Sequence, residues 1–524
     1  MKRIIAVLVI LLMATTMVFA GGGGQSGSGT VTVQLFDRGT DGGRTRVDNN
    51  AWTRWIQDKV RRDLGLQVVF VPTPRWTEDT DIITLMAAGS APDLCYTYSA
   101  TNITNFRDQG GLYNLAPYID SHLPDLKRLL ADDPAFPGQE FIWRNRLPDG
   151  RMFSIPSYRV ALAMRSVFIR QDWLTALGLP MPRSIQEFET TLIAFRDRDP
   201  GRVGANIIPL MVDEDARWNL AEFIHHHIQS GLSTRDRYIF NTAGGGAGAR
   251  NLAFPGIQEG VRLMNRWYSL GLIFRDFPLV SMNSDDFWNN LKSGRVGAFS
   301  GNWDLPYRTD YNVNLDLAAN VPGASFVPVD LNLNNRDMYD KVGLQMFIPA
   351  NARNPVGALR YLNWLAIPEN YQFIQRGNEG VNHTLVNGAP RLETRPANDP
   401  WIQNSAMNID FTMPMNGIET GNADLNARVI ALTYGSFAPE VIVSAYNISM
   451  RNARAGVVVP LPTLQDGVYG ATLNDKADDL LAQAIRATPA QFNAVWNAGY
   501  QDWLQSGGQA VMDERRRIAD QYFR

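Results

Sequence analysis

Aromatic and polar side chains stand together just after a predicted strand at 296–300. Trp303 follows that strand with Asn302 and Asp304 beside it, and Tyr307 lies a few residues further on. An aromatic face removes C–H surface from water, and amide and carboxylate groups satisfy hydroxyl groups. Such a set is suited to a ligand with apolar faces and a polar rim. The alternative interpretation is that Trp303 is a core residue that caps the strand.

The first hundred residues alternate predicted strands and helices. Strands are predicted at 31–36, 67–71 and 94–98, with helices at 51–63 and 78–88 between them. This order is typical of a parallel sheet with right-handed crossovers. Ligands bind beyond the carboxyl ends of the strands in such sheets, so the residues that follow each strand are candidates for a binding site.

Three residues at these strand ends, Trp76, Tyr98 and Ser99, are candidate ligand contacts. Each has an alternative structural role, which for Trp76 is packing on the protein surface. Arg159 lies where the chain is predicted to cross into a second unit, at 157–161. It either meets an anionic group there or forms a salt bridge at the crossing.

The composition indicates an ordinary globular protein of two or three domains. The chain has 524 residues, of which 45% are hydrophobic and 19% charged, and a formal net charge of −3. No basic patch for nucleic acid is evident. Cys95 is the single cysteine, so an intramolecular disulfide is impossible. Among the tryptophans, the helical spacing around Trp267, Trp364 and Trp496 predicts core positions.

The sequence lacks the common catalytic and metal-binding motifs. Neither G-x-S-x-G nor H-E-x-x-H occurs, although a pair of catalytic carboxylates cannot be recognised from sequence spacing. His225, His226 and His227 lie in a predicted helix at 219–230, where successive side chains diverge by about 100° and cannot share one ion. The Gly-rich segment 244–248 lacks the Lys-Ser/Thr of a phosphate-binding loop. No cofactor and no metal are therefore expected.

The amino terminus has the pattern of a cleaved export signal. Lys2 and Arg3 precede an apolar run at 4–13, and Ala20 ends a cleavage-site pattern. Gly21 stands where a lipoprotein would have cysteine. We therefore expect a signal peptide at 1–20, a flexible Gly/Ser tether at 21–29, and a mature chain that is exported without a lipid anchor.

Several segments, in order along the chain, resemble motifs of the bacterial extracellular solute-binding proteins of family 1, the capture subunits of ABC importers. The segment G-S-A-P-D-L at 89–94 resembles the family's "A-G-x-x-P-D" step, and D-G-R-M-F-S-I-P at 149–156 resembles "DGK-x-Y-x-x-P". Further similar segments lie at 169–179, 266–273, 287–303, 354–365, 380–383 and 492–514. The long oligosaccharide-binding and lipoprotein-like branch is the most similar.

This resemblance implies an α/β fold of the two-lobed periplasmic-binding-protein type (type II-like), with two α/β domains joined by hinge strands. Lobe 1 is expected at 30–157 and 346–390, and lobe 2 at 160–343 and 392–524. The resemblance also implies a stacking aromatic at Trp303 and a turn near the cleft at Asn382 and His383. Trp218 and Trp401, in loop-rich segments, are less favoured as ligand contacts.

Related long-branch binders often have a calcium loop at the position of 197–207. Calcium needs six to eight oxygen ligands, but here Arg202, Val203, Ala205 and Ile207 occupy much of the loop. The family's metal is therefore not expected in this chain.

The function implied is capture of a carbohydrate, most simply an oligosaccharide, by the periplasmic subunit of an ABC importer. The expected partners are that ligand and an inner-membrane permease, with no nucleic acid, and the protein is expected to be a monomer without enzymatic activity. Two alternatives stay open at this point. One is a secreted carbohydrate-active enzyme that uses cleft carboxylates, and the other is a ligand sensor for a membrane receptor.

Overall fold

The computed structural model describes residues 29–39, 46–133, 138–240, 252–282, 284–308, 311–393, 399–401, 406–457, 459, 461 and 463–523. The predicted signal segment, nearly all of the predicted tether and the Gly-rich segment 244–248 lie outside the described residues. Within the described part of the chain, no helix is long and apolar enough to cross a membrane.

Most strands belong to two main sheets. The strands are β1 Gly29–Asp37, β2 Leu66–Pro74, β3 Cys95–Thr97, β4 Ile155–Arg159, β5 Arg165–Arg170, β6 Ile208–Met211, β7 Val296–Asn302, β8 Phe326–Val329, β9 Arg336–Asp337, β10 Val342–Phe347, β11 His383–Val386, β12 Ala389–Leu392, β13 Met415–Asn416 and β14 Ala453–Arg454. Apart from the main sheets, β11 pairs with β12 and β9 with β14 in separate two-stranded sheets.

Helices surround both sheets. They are α1 Ala51–Leu64, α2 Glu78–Ala87, α3 Ala100–Asp108, α4 Ile119–His122, α5 Pro124–Leu129, α6 Gln171–Leu177, α7 Ile185–Arg198, α8 Ala216–Asn219, α9 Ala221–His225, α10 Thr234–Phe240, α11 Ile257–Ser269, α12 Asp285–Lys292, α13 Val313–Asn320, α14 Pro355–Leu365, α15 Pro368–Arg376, α16 Ala423–Leu432, α17 Pro439–Met450, α18 Leu464–Arg486, α19 Phe492–Trp503 and α20 Gln509–Tyr522.

The sheet of lobe 1 runs in the order β2-β1-β3-β10-β4-β13. β1 pairs in parallel with β2, and a parallel bridge between Val33 and Leu94 continues the sheet to β3. β10 is antiparallel to β3 and β4, and β13 is parallel to β4. Trp52 of α1 and Trp364 of α14 are buried in the core that covers this sheet, which confirms the core position predicted for Trp364.

The sheet of lobe 2 runs in the order β6-β7-β5-β8. β6 is parallel to β7, and β5 is antiparallel to both β7 and β8. All six residues of β5 are buried, because helices cover the sheet on both faces. Trp173, Trp267 and Trp496 are buried in the larger of the two cores of this lobe, so the core positions predicted for Trp267 and Trp496 are also confirmed.

The chain crosses between the lobes three times, after β4, before β10 and after β13. The third crossing differs from the sequence expectation, which placed lobe 2 from 392 onward. β13 adds a strand to the lobe 1 sheet through Met415↔Tyr158, and Phe411 and Met413 are buried in the lobe 1 core. Apolar burial therefore keeps residues 406–416 in lobe 1, and the remaining lobe boundaries stay predictions.

The histidine segment also differs from expectation. The predicted helix at 219–230 ends at His225, because the chain turns at 226–228. The sequence pattern favours a partly exposed helix face for these histidines, but His225 is only 4% exposed, and its Nδ1 lies 2.7 Å from the Asp337 carboxylate. The His226 ring accepts a hydrogen bond from the backbone N–H of Asn334 instead.

Candidate functional site

The two main sheets present corresponding edges to each other. In lobe 1, the carboxyl ends of β1, β2, β3, β4 and β13 share one edge with the start of the antiparallel strand β10. In lobe 2, the carboxyl ends of β6, β7 and β8 share an edge with the start of β5. Because β4 leads directly into β5, these two edges face the same gap.

The lobe 1 wall of this gap carries a cluster of aromatic and arginine side chains. The Arg75 guanidinium lies 4.1 Å from the centre of the Tyr98 ring, 5.3 Å from the Trp76 ring and 5.4 Å from the Phe36 ring. The Trp76 side chain is 75% exposed. Sequence reasoning found Trp76 and Tyr98, and the structure brings these two candidates together.

A salt bridge from a distant segment orders the same wall. Arg38, directly after β1, donates from Nε and Nη2 to the two carboxylate oxygens of Asp410 at 2.7 and 2.9 Å. Burial lowers the pKa of Arg38, but the bond and charge of Asp410 outweigh burial and raise it overall. Asn416 donates a long hydrogen bond of 3.5 Å to the Tyr98 hydroxyl.

The floor of the gap is formed by two crossing segments. Arg159 stacks on the Tyr339 ring at 4.6 Å, and the Tyr339 backbone N–H donates to the Leu162 carbonyl at 2.9 Å. Burial is the largest cause that raises the pKa of Tyr339, and Asp304 and Arg308 also act on it electrostatically. The turn after β7 therefore lies close to this floor.

The lobe 2 candidates are largely buried. Trp303 is 6% exposed and packs edge-on against Tyr446 at 5.1 Å. Asn302 has a buried Oδ1 that finds no hydrogen-bond partner in the described part of the chain. Asp304 accepts a hydrogen bond of 2.5 Å from the Tyr434 hydroxyl. Contact of Trp303 with a ligand stays a prediction, and it requires that the indole be uncovered.

Tyr307 belongs to the same apolar cluster as Trp303. It is 2% exposed, and its ring packs edge-on against Phe437 at 5.3 Å. Burial raises the pKa of the Tyr307 hydroxyl, which has no partner among the described residues.

Three further candidates use their polar atoms to fold local turns. Ser99 caps α3, where its Oγ accepts from the Asn102 backbone N–H at 3.2 Å. Asn382 accepts from the Asn378 backbone N–H at 3.1 Å. His383 is buried with its Nδ1 3.0 Å from the Arg376 carbonyl, and burial lowers its pKa. No contact joins Asn382 or His383 to the Arg75–Tyr98 cluster within the described residues.

Comparison with known proteins identifies the family. The sequence pattern of the bacterial extracellular solute-binding proteins matches residues 47–372, more than half of the chain. The chain belongs to this family. Two curated relatives are the fructooligosaccharide ABC transporter substrate-binding protein FusA of Streptococcus pneumoniae, 24% identical over 46% of this chain and 45% of FusA, and lipoprotein LipO of Bacillus subtilis, 31% identical over 44% of this chain and 43% of LipO.

Solved structures show that this solute-binding protein has the two-lobed fold of its family. An HMO-binding solute-binding protein from Bifidobacterium longum infantis superposes with a TM-score of 0.59 at 17% identity, covering 95% of this chain and 99% of the other. FusA in complex with kestose gives a TM-score of 0.57 at 14% identity, covering 94% and 99%. The α/β two-lobed prediction is confirmed.

Sequence reasoning missed part of the lobe 1 wall of this solute-binding protein. Arg38 and Arg75 adjoin predicted strand ends, so the rule that selected Trp76 could also have selected them. Asp410 and Asn416 lie in a segment without a strand pattern or motif. Only the pairing of β13 with β4 brings that segment to the wall.

Proposed function

We propose that this protein captures a carbohydrate, most simply an oligosaccharide, between its lobes and delivers it to an ABC permease in the inner membrane. The observation that carries the proposal is the exposed Trp76 ring beside Arg75 and Tyr98, at a sheet edge that faces the second lobe. An aromatic face covers the C–H surface of a sugar ring, while arginine, amide and carboxylate groups bind its hydroxyls.

The relatives support the same ligand class. The names of FusA and of the HMO-binding protein refer to oligosaccharides. The chain aligns with less than half the length of the curated relatives, so their ligands are a guide to the chemistry to be tested. Trp76, Tyr98 and Arg159 are the first candidates for contact, and Ser99, Asn302, Trp303, Asp304, Tyr307, Asn382 and His383 follow.

Binding without turnover is the expected behaviour. Calorimetry of the mature chain against a panel of oligosaccharides tests this, with product analysis of the same mixtures by chromatography. Saturable heat with unchanged sugar supports the proposal. Release of shorter sugars would favour the alternative of a carbohydrate-active enzyme, and binding of peptides or amino acids alone would overturn the carbohydrate assignment.

Export to the periplasm without a lipid anchor is the second part of the proposal. It rests on the apolar run at 4–13 and on Gly21 at the position of a lipid-bearing cysteine. Cell fractionation with mass spectrometry of the amino terminus tests both points. A lipid-modified terminus or a cytosolic location would contradict them.

A further inference from the structure

Two arginines at the lobe 1 edge have no carboxylate partner. Within the described residues, no carboxylate oxygen lies within 4.0 Å of Arg75 or Arg159, and the Nε of each is buried without an acceptor. Several other buried or half-buried arginines are paired with carboxylates, among them Arg38 with Asp410, Arg144 with Asp133 and Arg170 with Asp172. In the same part of the chain, Arg295 and Arg376 have no carboxylate partner either, but they donate to the side-chain amides of Asn290 and Gln372. Arg75 and Arg159, which have no such acceptor there, both lie at the gap between the lobes.

Both guanidinium groups are held in place by aromatic rings. Arg75 lies over Tyr98 at 4.1 Å and Arg159 lies over Tyr339 at 4.6 Å. Stacking fixes the plane of a guanidinium and leaves its N–H edge free to bind. The terminal nitrogens of both residues have no protein acceptor and are not buried, so they reach the gap.

Neighbouring acids do not occupy these nitrogens. Glu78 acts on Arg75 electrostatically, but its Oε1 accepts the Tyr98 backbone N–H at 2.9 Å. Asp37 accepts the Gly39 backbone N–H. Across the gap, Asp304 accepts the Tyr434 hydroxyl. Each carboxylate thus has a local hydrogen bond through one oxygen. The second oxygen of Glu78, Oε2, is buried without a partner among the described residues, but it does not come within 4.0 Å of the Arg75 guanidinium. The N–H groups of Arg75 and Arg159 therefore stay open for a ligand.

The spacing of the two arginines sets the length of such a ligand. Arg75 follows β2 and Arg159 ends β4, and the sheet order places four strand-to-strand steps between them. Adjacent strands lie about 4.8 Å apart, so the ends of β2 and β4 are separated by roughly 19 Å along the edge. The Arg75 side chain reaches the Tyr98 ring at the end of β3, which leaves two strand steps, or roughly 10 Å, between the two guanidinium groups. An oligosaccharide of at least two units can span that distance.

We propose that the ligand is an acidic oligosaccharide whose units carry carboxylates, with Arg75 and Arg159 each pairing with one carboxylate and Trp76 stacking on a ring beside Arg75. A planar guanidinium matches a carboxylate in a bidentate fork. This inference rests on the proposed function and specifies the ligand class for the same site.

Calorimetry of the mature chain with three tetrasaccharides tests the inference. They are tetragalacturonate, which carries carboxylates, maltotetraose, which is uncharged, and a tetrasaccharide of sulfated disaccharide repeats. Tetragalacturonate is expected to bind at least about tenfold more tightly than maltotetraose, since hydrogen bonds between charged groups contribute most strongly. Its affinity is expected to fall as NaCl rises from about 50 to about 500 mM.

Arginine variants test whether Arg75 and Arg159 bind the carboxylates of the ligand. Arg75→Gln and Arg159→Gln are each expected to weaken tetragalacturonate binding by about tenfold or more, while maltotetraose binding changes little. Arg62→Gln is the matched control, because Arg62 is exposed at the carboxyl end of α1, near the opposite edge of the sheet. Unchanged melting temperatures show that the variants fold.

The outcomes separate this inference from the proposed function. Preference for maltotetraose or for the sulfated tetramer, or Arg75→Gln and Arg159→Gln variants that bind tetragalacturonate normally, would overturn the carboxylate assignment and leave carbohydrate capture standing. Failure of the protein to bind any saccharide in the wider panel would overturn the proposed function itself.

Discussion

At the scale of single residues, the tryptophans near the gap differ in what they can do. Trp76 is 75% exposed beside Arg75, whereas Trp303 is 6% exposed and packed against Tyr446. An exposed indole has a free face for a ligand, and its removal leaves no cavity. A buried indole contributes to packing, and its removal leaves a cavity that the surroundings fill only in part.

Alanine variants separate these two roles. Trp76→Ala is expected to leave the free energy of unfolding within about 0.5 kcal/mol while weakening oligosaccharide binding by about tenfold, since a stacked ring buries apolar area worth about 1–2 kcal/mol. Trp303→Ala is expected to cost about 3–5 kcal/mol of stability. Denaturant unfolding and calorimetry measure both quantities. A Trp303→Ala variant that keeps its stability but no longer binds oligosaccharide would instead assign the stacking contact to Trp303.

The residues of the wall were predictable only where local sequence determines position. Trp76 lies just after the predicted strand at 67–71 and Tyr98 ends the predicted strand at 94–98, so the strand ends predicted them. Asp410 and Asn416 reach the wall through pairing of β13 with β4 across more than 250 positions, which no local pattern encodes. The burial of Trp303 likewise depends on α17, which supplies Tyr446.

At the scale of elements, the loop after α7 is folded by its own backbone bonds. Asp199 has a positive φ of 40° and accepts from the backbone N–H groups of Val203 and Gly204 at 2.9 and 2.8 Å. Arg202, Ala205 and Ile207 supply no side-chain oxygen. The carboxylate thus takes on a structural role in a loop that is too poor in oxygen for calcium, which needs six to eight ligands.

Calcium is therefore expected to leave this protein unchanged. Millimolar calcium or a chelator should shift the melting temperature by less than about 1 °C, because Asp197, Asp199 and Asn206 supply too few side-chain oxygens for the six to eight ligands that calcium needs. Asp199→Ala should lower the free energy of unfolding by about 1 kcal/mol, since it removes two hydrogen bonds from backbone N–H groups that water can reach, and Asp199→Asn should cost less. A clear rise in melting temperature with calcium would contradict this account.

Element boundaries were harder to predict than element types. The sequence also predicts a strand at 342–348 and a helix at about 424–434, and these match β10 and α16 closely. It further predicts a helix at 474–486, which is the last part of α18; the whole helix begins at Leu464. Its first turns escape prediction because Gly467 and Gly470 disfavour a helix and because the apolar Leu464 and Val468 are exposed and form no buried stripe. The helix predicted at 219–230 breaks at His225, where contact with Asp337 from β9 outweighs local helical preference.

At the scale of the whole molecule, the first and third crossings pack closely against each other. The Val160 backbone N–H donates to the Asn416 carbonyl at 3.1 Å, and the next residue, Gly417, has a φ of 132°. A Cβ at Gly417 would lie 2.8 Å from the Cβ of Val160. Two-lobed binding proteins close by small backbone rotations at such segments, so the absence of a side chain here lets the two crossings move side by side.

Gly417→Ala tests whether this contact governs closure. The variant is expected to lose about 1–3 kcal/mol of stability from backbone strain and to bind oligosaccharide more weakly, with a smaller ligand-induced decrease in the radius of gyration by X-ray scattering. Gly435→Ala is the matched control, because no atom lies within 4 Å of a Cβ at that position. If both variants contract like the wild type on binding, the close packing at Gly417 is not part of the hinge, and closure depends on the Arg159–Tyr339 floor instead.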